Sequence, residues 1–202
     1  PQVIAGPIVR PHELYGQLKF GVKLERFSIQ LGMFLICVGV LKKIFIADQL
    51  GLLVDQSYAP NSKDITVGIL LFPWQIYFDF SSYTDIALGL AYLLGVNLPI
   101  NFNAPYTARS VTEFWRRWHM TLSRFFRDFV YKPLGGNRDG WAILVWSTLA
   151  TFVLSGIWHG ANWNFLFWGL VNGLWVIAEK TLKLDKNTTL SYAVLTHLTL
   201  YS

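Results

Sequence analysis

Long apolar runs without charged residues dominate the hydrophobic pattern of this chain. The longest extends from Gly140 to Ala178, which is 39 residues without Lys, Arg, Asp or Glu. About 20 apolar residues are enough for one membrane-spanning helix, so this run is long enough for two. Its midpoint is His159, inside WHGANW, where small residues and an Asn favour a break between helices. The pattern therefore predicts a helical hairpin that turns at His159.

A second predicted span lies nearer the start of the chain. Residues 28–47 are long enough to cross a membrane if Lys42 and Lys43 extend their ammonium groups toward an interface. Residues 190–202 form another apolar run, which reads as the beginning of a further span.

Two apolar blocks in residues 65–98 are separated by the polar segment DFSSYTD. Ser82 and Asp85 fit a capping box, which predicts that a new helix begins there. Asp79 and Asp85 also lie near membrane depth, where an ionisable side chain suggests function. Both interpretations of the two acids, structural and functional, remain open at this point.

An amphipathic helix is predicted next. The segment from Ser110 to Glu113 fits a capping box, and Pro133, Gly135 and Gly136 are expected to end the helix. A basic helix with an aromatic apolar face lies along a membrane surface or packs over a bundle. The apolar face recurs at alternating spacings of four and three residues: Val111, Trp115, Trp118, Leu122, Phe125 and Phe129.

Composition agrees with a membrane protein. The chain is 53% hydrophobic and 16% aromatic, but only 14% charged, whereas soluble domains carry about 25% charged residues. Too little polar surface remains to cover a water-soluble globule. We therefore expect an all-α, polytopic transmembrane helical bundle.

The net charge of +5 is concentrated in one segment. Residues 109–138 contain seven basic and two acidic side chains, which leaves +5 in that segment alone. Basic segments beside apolar spans favour the cytoplasmic side and attract anionic headgroups or substrates. Nucleic-acid binding is not expected, because long apolar stretches flank this segment.

Two histidines are candidates for chemistry. His159 is the only ionisable side chain in the 39-residue run, and an imidazole is the usual general base near neutral pH. The alternative is a turn histidine that only hydrogen-bonds a nearby carbonyl. His119 is either functional or an interfacial residue packed between Trp115 and Leu122. No spacing typical of a metal site is present.

Several long motifs resemble one family. NFNAPYTARSVTEFWRRWHMTLSRFFRDFVYKPLGGNR and LSGIWHGANWNFLFWGLVNG are similar to the core of the membrane-bound O-acyltransferases, in the bacterial branch of the alginate O-acetyltransferase membrane subunit and the D-alanyl transferase of teichoic acids. VIAGPIVR and DFSSYTDIALG are similar to that branch too, although Ser82 stands where Gly is expected. We interpret residues 1–202 as a partial core of this fold, internal to a longer protein.

The resemblance implies site residues and substrates. His159, in the WHG motif, matches the catalytic histidine of the family, and His119 matches its second characteristic histidine. It also implies a tunnel for a thioester donor, either an acyl-CoA such as acetyl-CoA or an acyl carrier. Arg116, Arg127 and Asn162 are candidate substrate-binding residues, with the arginines on an anionic donor. No permanently bound cofactor and no metal are expected.

The resulting hypothesis is an acyltransferase of the bacterial cytoplasmic membrane. It would move an acyl group, most simply acetyl, to a hydroxyl of an exported polysaccharide or other envelope acceptor, with envelope proteins as further partners. The competing hypothesis is a transporter or lipid-handling scaffold with structural or gating histidines, since intramembrane histidines also serve as proton relays.

Overall fold

The computed structural model describes residues 6–19, 25–59 and 65–182. They form helices and turns, without a strand among them. The chain divides into two compact units, one up to Asn101 and one from Phe102. The apolar run at 190–202, with its predicted span, lies outside the described residues.

The first unit contains a helix longer than the predicted span at 28–47. After α1 (Pro11–Lys19), α2 (Arg26–Lys42) continues through a π-helical turn (Lys43–Ala47) into α3 (Asp48–Tyr58), so that 33 residues form one uninterrupted helix. A run of apolar residues marks only the central part of such a helix, because its ends tolerate polar side chains.

The predicted helix start at Ser82 is wrong. Helix α4 (Ile65–Leu93) runs for 29 residues through the DFSSYTD segment, with Pro73 inside it. The Ser82 hydroxyl donates to the Asp79 backbone carbonyl oxygen at 2.7 Å, and Ser82 is buried, with 1% of its surface exposed. A small residue packed inside a helix interface favours continuation of the helix over the local cap.

The charged residues near the middle of these helices pair with each other. Lys42 Nζ lies 2.7 Å from Asp85 Oδ2, and Lys43 Nζ lies 2.6 Å from Asp79 Oδ1 and 2.8 Å from Asp48 Oδ1. The lysines therefore bind acids of α4 and α3 and are not simply extended toward an interface. Each acid of α4 thus pairs with a lysine, which agrees with the structural interpretation, while a functional role of Asp79 or Asp85 stays a prediction.

Glycines allow α2 and α4 to approach closely. A Cβ on Gly32 would stand 2.8 Å from the Gly89 carbonyl oxygen, and one on Gly89 would stand 2.6 Å from that of Gly32. Small residues permit such backbone contact in membrane helix pairs. The two helices are therefore held together by packing as well as by the Lys42–Asp85 pair.

The second unit contains the predicted hairpin. Its first arm, α7, ends at His159, and its second arm, α8, begins at Trp163, which confirms the turn predicted at His159. The elements of this unit are a 3₁₀ turn (Pro105–Thr107), α5 (Val111–Arg117), α6 (Met120–Phe126), a π-helical turn (Arg127–Tyr131), α7 (Trp141–His159) and α8 (Trp163–Leu182).

The amphipathic segment is two helices, not the single helix that its spacing predicts. Ser110 accepts a hydrogen bond from the Glu113 N–H at 3.1 Å, which confirms that half of the capping box. The chain is extended at Trp118 and left-handed at His119, with φ of 40°. The spacing of the apolar residues does not reveal the break, because the apolar residues of α5 and α6 follow the same alternation of four and three.

Two helices among the described residues are long and apolar enough to cross a membrane. They are Arg26–Tyr58, with a mean hydropathy of 2.0, and Trp141–His159, with 1.6. Few of their residues are buried inside the structure, so their apolar surfaces are available to lipid or to other helices. The described fold is thus all-α, as expected.

Removal of one partner from the Lys42–Asp85 pair should destabilise the protein. Asp85→Leu leaves the Lys42 ammonium unpaired in apolar surroundings, so we expect a loss of roughly 1–3 kcal/mol, somewhat less than for a fully buried pair. The double variant Lys42→Met/Asp85→Leu should recover most of the lost unfolding free energy. Chemical denaturation of the purified protein in detergent measures both values, and a double variant no better than Asp85→Leu would contradict the pairing argument.

Close packing of the hairpin predicts a second stability effect. A Cβ on Gly156 would collide with the Phe165 carbonyl group, so Gly156→Ala should lower the unfolding free energy by about 1–3 kcal/mol, as overpacking does. Gly16→Ala is the control, since among the described residues no atom beyond its chain neighbours and its own helix backbone lies within 4 Å of its Cβ position. Thermal unfolding of the two variants, scored by tryptophan fluorescence, should show a lower Tm for Gly156→Ala alone.

Candidate active site

His159 is the last residue of α7 and is exposed. The chain turns at once through Gly160, and Asn162 then begins α8 by accepting the Asn164 N–H at 3.1 Å. The His159 ring lies 6.1 Å from that of Phe165 and 5.4 Å from that of Trp168, between centroids. The aromatic start of α8 therefore fixes the imidazole at the hairpin turn.

His119 occupies the break between α5 and α6 and is only 4% exposed. Its left-handed backbone costs about 1–3 kcal/mol for a residue other than glycine. Aromatic packing holds the break, because Trp118 stacks on Phe114 with 5.5 Å between centroids and meets the edge of Phe102 at 5.0 Å. Strained backbone of this kind is concentrated at functional sites.

One cavity of about 180 Å³ joins the two histidines. Trp158 contacts both imidazoles, with ring centroids 6.3 Å from His119 and 5.1 Å from His159. The cavity is therefore bounded by both residues that the sequence analysis selected for chemistry. Its lining residues are Trp115, Trp118, His119, Leu122, Ser123, Phe126, Arg127, Tyr131, Thr148, Thr151, Phe152, Ser155, His159, Val176 and Lys180.

The cavity follows one face of α7. From Thr148 to His159 the lining residues recur at helical spacing over eleven residues, which corresponds to about 16 Å along the axis at 1.5 Å per residue. The hydroxyls of Thr148 and Thr151 donate to carbonyls of the preceding turn, at 2.7 and 2.6 Å. Their oxygen lone pairs remain available as acceptors, so this wall can bind amide N–H or hydroxyl groups.

A cationic region lies at the end of the cavity remote from His159. Lys180 is near the C-terminal end of α8, whose first residue follows the hairpin turn. Its Nζ lies 3.4 Å from the Tyr131 hydroxyl and 5.4 Å from that ring centroid. Arg127 lines the same cavity, and its guanidinium pairs with the adjacent Asp128 carboxylate at 3.2 Å. An anionic group can bind there.

One wall of the cavity has an unpaired donor. Trp115 packs edge-on against Phe152 and Trp168, at 5.6 and 5.5 Å between centroids, and its Nε1 is buried without a hydrogen-bond acceptor among the described residues. A buried N–H without an acceptor is costly. Because Trp115 lines the cavity, this N–H is a candidate donor to a polar group bound there.

The two histidines are in different electrostatic surroundings. His119 lies outside the two candidate membrane-spanning helices, and burial, together with nearby His159, lowers the pKa of His119 to about 4. Its imidazole is therefore neutral at pH 7. His159 is more exposed than His119.

Two predicted substrate-binding residues lie elsewhere. Arg116 is exposed and does not line the cavity. Asn162 is exposed and caps α8. Of the predicted binding residues, the structure places only Arg127 at the cavity. Among described residues, no group of three or more His, Cys, Asp or Glu side chains is able to hold a metal ion.

The sequence analysis did not select Lys180, Tyr131 or Glu179. Glu179 is the one acidic residue in α7 and α8, and this isolation in an apolar helix is a signal by which it could have been selected from the sequence. It is fully buried and accepts hydrogen bonds from Thr112. Lys180 and Tyr131 carry no local signal, because they are brought together from segments 49 residues apart.

Comparison with known proteins gives consistent matches. The chain is 41% identical over 189 residues to the probable alginate O-acetylase of Azotobacter vinelandii, which covers 92% of this chain and 38% of that protein. It is 42% identical over 180 residues to the peptidoglycan O-acetyltransferase of Helicobacter pylori, covering 86% of this chain and 34% of that protein. The chain thus spans less than two fifths of the length of these relatives.

A more distant relative is the teichoic acid D-alanyltransferase of Bacillus subtilis, 30% identical over 193 residues, which covers 86% of this chain and 47% of that protein. The sequence model of one family, described as the membrane-bound O-acyltransferases, matches residues 1–184. The matched range includes the motifs around His119 and His159. The chain belongs to the membrane-bound O-acyltransferase (MBOAT) family.

Proposed function

We propose that the full-length protein transfers an acyl group, most simply acetyl, from a thioester to a hydroxyl of an exported polysaccharide or other envelope acceptor. The observation that carries this proposal is the shared cavity: His159 and His119 both line it, and Trp158 contacts both rings. The names of the relatives, which include an alginate O-acetylase and a peptidoglycan O-acetyltransferase, support the class of acceptor.

His159 acts as the general base. Its imidazole removes the proton of the acceptor hydroxyl as the oxygen attacks the thioester carbonyl carbon. The tetrahedral intermediate then collapses, the C–S bond breaks, and the imidazolium returns the proton to the leaving thiolate. The ester and the free thiol leave with His159 neutral again, so protons and electrons balance over the cycle.

His119 and Trp115 orient the donor. The neutral imidazole of His119 lies on the cavity wall, and the Trp115 Nε1–H lacks an acceptor among the described residues. Both groups line the cavity, so they are suited to bind the thioester carbonyl oxygen and to stabilise negative charge on it. This role requires no proton transfer by His119.

The donor extends along α7. The slot of about 16 Å between His159 and Thr148 suits an extended arm with amide groups, and Lys180 and Arg127 provide cations for a phosphate at its far end. A phosphopantetheine thioester, carried by CoA or by a carrier protein, has these features in this order. The thioester carbon then lies near His159 and the phosphate near Lys180.

The location follows from charge. We propose that the protein spans the bacterial cytoplasmic membrane several times, with the basic segment at 109–138 toward the cytoplasm, since positive residues favour that side. The donor then enters from the cytoplasm and the envelope acceptor reaches His159 from the opposite side.

Substitution of His159 tests the general base. His159→Ala and His159→Gln should each reduce transfer by about 10²–10⁴-fold, because neither side chain takes up a proton at neutral pH. The assay uses the full-length protein in liposomes with acetyl-CoA and a polysaccharide acceptor, and it detects new esters. Near-normal turnover of His159→Gln would end the general-base proposal. His119→Asn is the matched control and should lose less activity than His119→Ala, since Asn retains an N–H donor.

The cationic region predicts a change in donor binding. Lys180→Ala and Arg127→Ala should each raise the KM for the donor by roughly 10-fold, the equivalent of one charge-assisted hydrogen bond at ~1.5 kcal/mol. Arg116→Ala removes an equal charge from the same amphipathic segment outside the cavity and should leave this KM unchanged. Equal effects of Arg127→Ala and Arg116→Ala would show that the segment acts only through its overall charge.

A further inference from the structure

Glu179 is a buried acid that the proposed reaction does not use. Glu179 has no exposed surface. Its Oε2 accepts two hydrogen bonds from Thr112, one from the backbone N–H and one from the hydroxyl, each at 2.8 Å. The two residues are 67 positions apart in the chain, so this contact ties α8 directly to α5.

The contact is made at the N-terminal end of α5. Thr112 is the second residue of that helix, and its N–H belongs to the first turn, where no intrahelical acceptor is available. At the same end, the Ser110 hydroxyl oxygen accepts a hydrogen bond from the Glu113 N–H, and the Glu179 carboxyl group accepts one from the Thr112 N–H. A negative charge is also favoured beside the first turn of a helix.

Packing alone does not explain why a polar side chain stands at this buried position. The second carboxyl oxygen, Oε1, is buried without a hydrogen-bond partner among the described residues. A buried polar atom without a partner is costly, and apolar replacements of buried polar or charged groups are often neutral or stabilising. The polar side chain therefore comes at a cost to the fold, which indicates a use for its contact with Thr112.

The geometry affects both ends of α5. This helix has only seven residues. It carries Trp115 on the cavity wall, and the left-handed His119 follows it after one residue. Glu179 itself precedes Lys180, which lines the cavity from α8. Fixing Thr112 to Glu179 therefore sets where the two N–H donors of the site lie relative to α8.

We propose that Glu179 is a positioning residue for acyl transfer. Its carboxylate holds the N-terminal end of α5 against α8, and thereby aims the His119 imidazole and the Trp115 indole at the substrate carbonyl group. This inference rests on the proposed function. Glu179 itself touches neither substrate, so its loss alters turnover and leaves donor binding unchanged.

Three variants of the full-length protein test the proposal. Glu179→Leu removes both acceptors and should lower kcat by up to about 10²-fold, the effect of a misplacement near 1 Å, at an unchanged KM for the donor. Glu179→Gln keeps one oxygen that accepts both Thr112 donors, so it should retain most of the turnover. Thr112→Val keeps the backbone N–H contact and should fall between them, and it carries the test if Glu179→Leu does not accumulate.

Hydrogen exchange gives a readout that is independent of activity. Backbone amides of residues 111–117 should exchange faster in Glu179→Leu than in the wild type, and Glu179→Gln should match the wild type. Equal exchange in all variants overturns the contact itself, even if the wild type transfers no acyl group. Faster exchange with a normal kcat per folded molecule overturns the positioning role, as does a Glu179→Gln variant that folds but is as inactive as Glu179→Leu.

Discussion

The closeness of α7 and α8 is the constraint on which the candidate site depends. Their backbones touch where Gly156 meets the Phe165 carbonyl and where Gly169 meets that of Phe152. Lipid provides no hydrophobic driving force between helices, so association relies on close packing of small residues. The two contacts fix the register of the hairpin. They place His159 against the start of α8, with the hydroxyl-lined face of α7 beside Val176 and Lys180.

The candidate site depends, secondly, on the break between α5 and α6 at His119. A continuous helix from Val111 would have positioned this imidazole by helical spacing alone. The left-handed residue instead redirects the chain, and the stacking of Trp118 on Phe114 holds it in place. His119 is buried and neutral, whereas His159 is exposed, which is consistent with the orienting and general-base roles proposed for them. One cavity contains both because the hairpin and the break meet there.

Charges in the apolar regions follow one rule in both units. Lys42 pairs with Asp85 in the first unit, and Glu179 binds the Thr112 donors in the second. Each group is desolvated and needs partners, since an unpaired charge in such surroundings is costly. These residues hold helices in place. The cationic side chains at the cavity also have partners, since Lys180 lies beside the Tyr131 hydroxyl and Arg127 pairs with Asp128.

The sequence by itself determined the helical class, the hairpin turn at His159 and the choice of the two histidines that line the cavity. These features depend on local properties of the sequence, which are the length of an uncharged run and the motif around each histidine. It did not determine the uninterrupted α4, where burial of Ser82 outweighs a local cap. Nor did it determine the division of the amphipathic segment at His119. Only the tertiary structure separated Arg127 from Arg116 and joined Glu179 to Thr112, because long-range packing, not spacing along the chain, decides which side chains share a cavity.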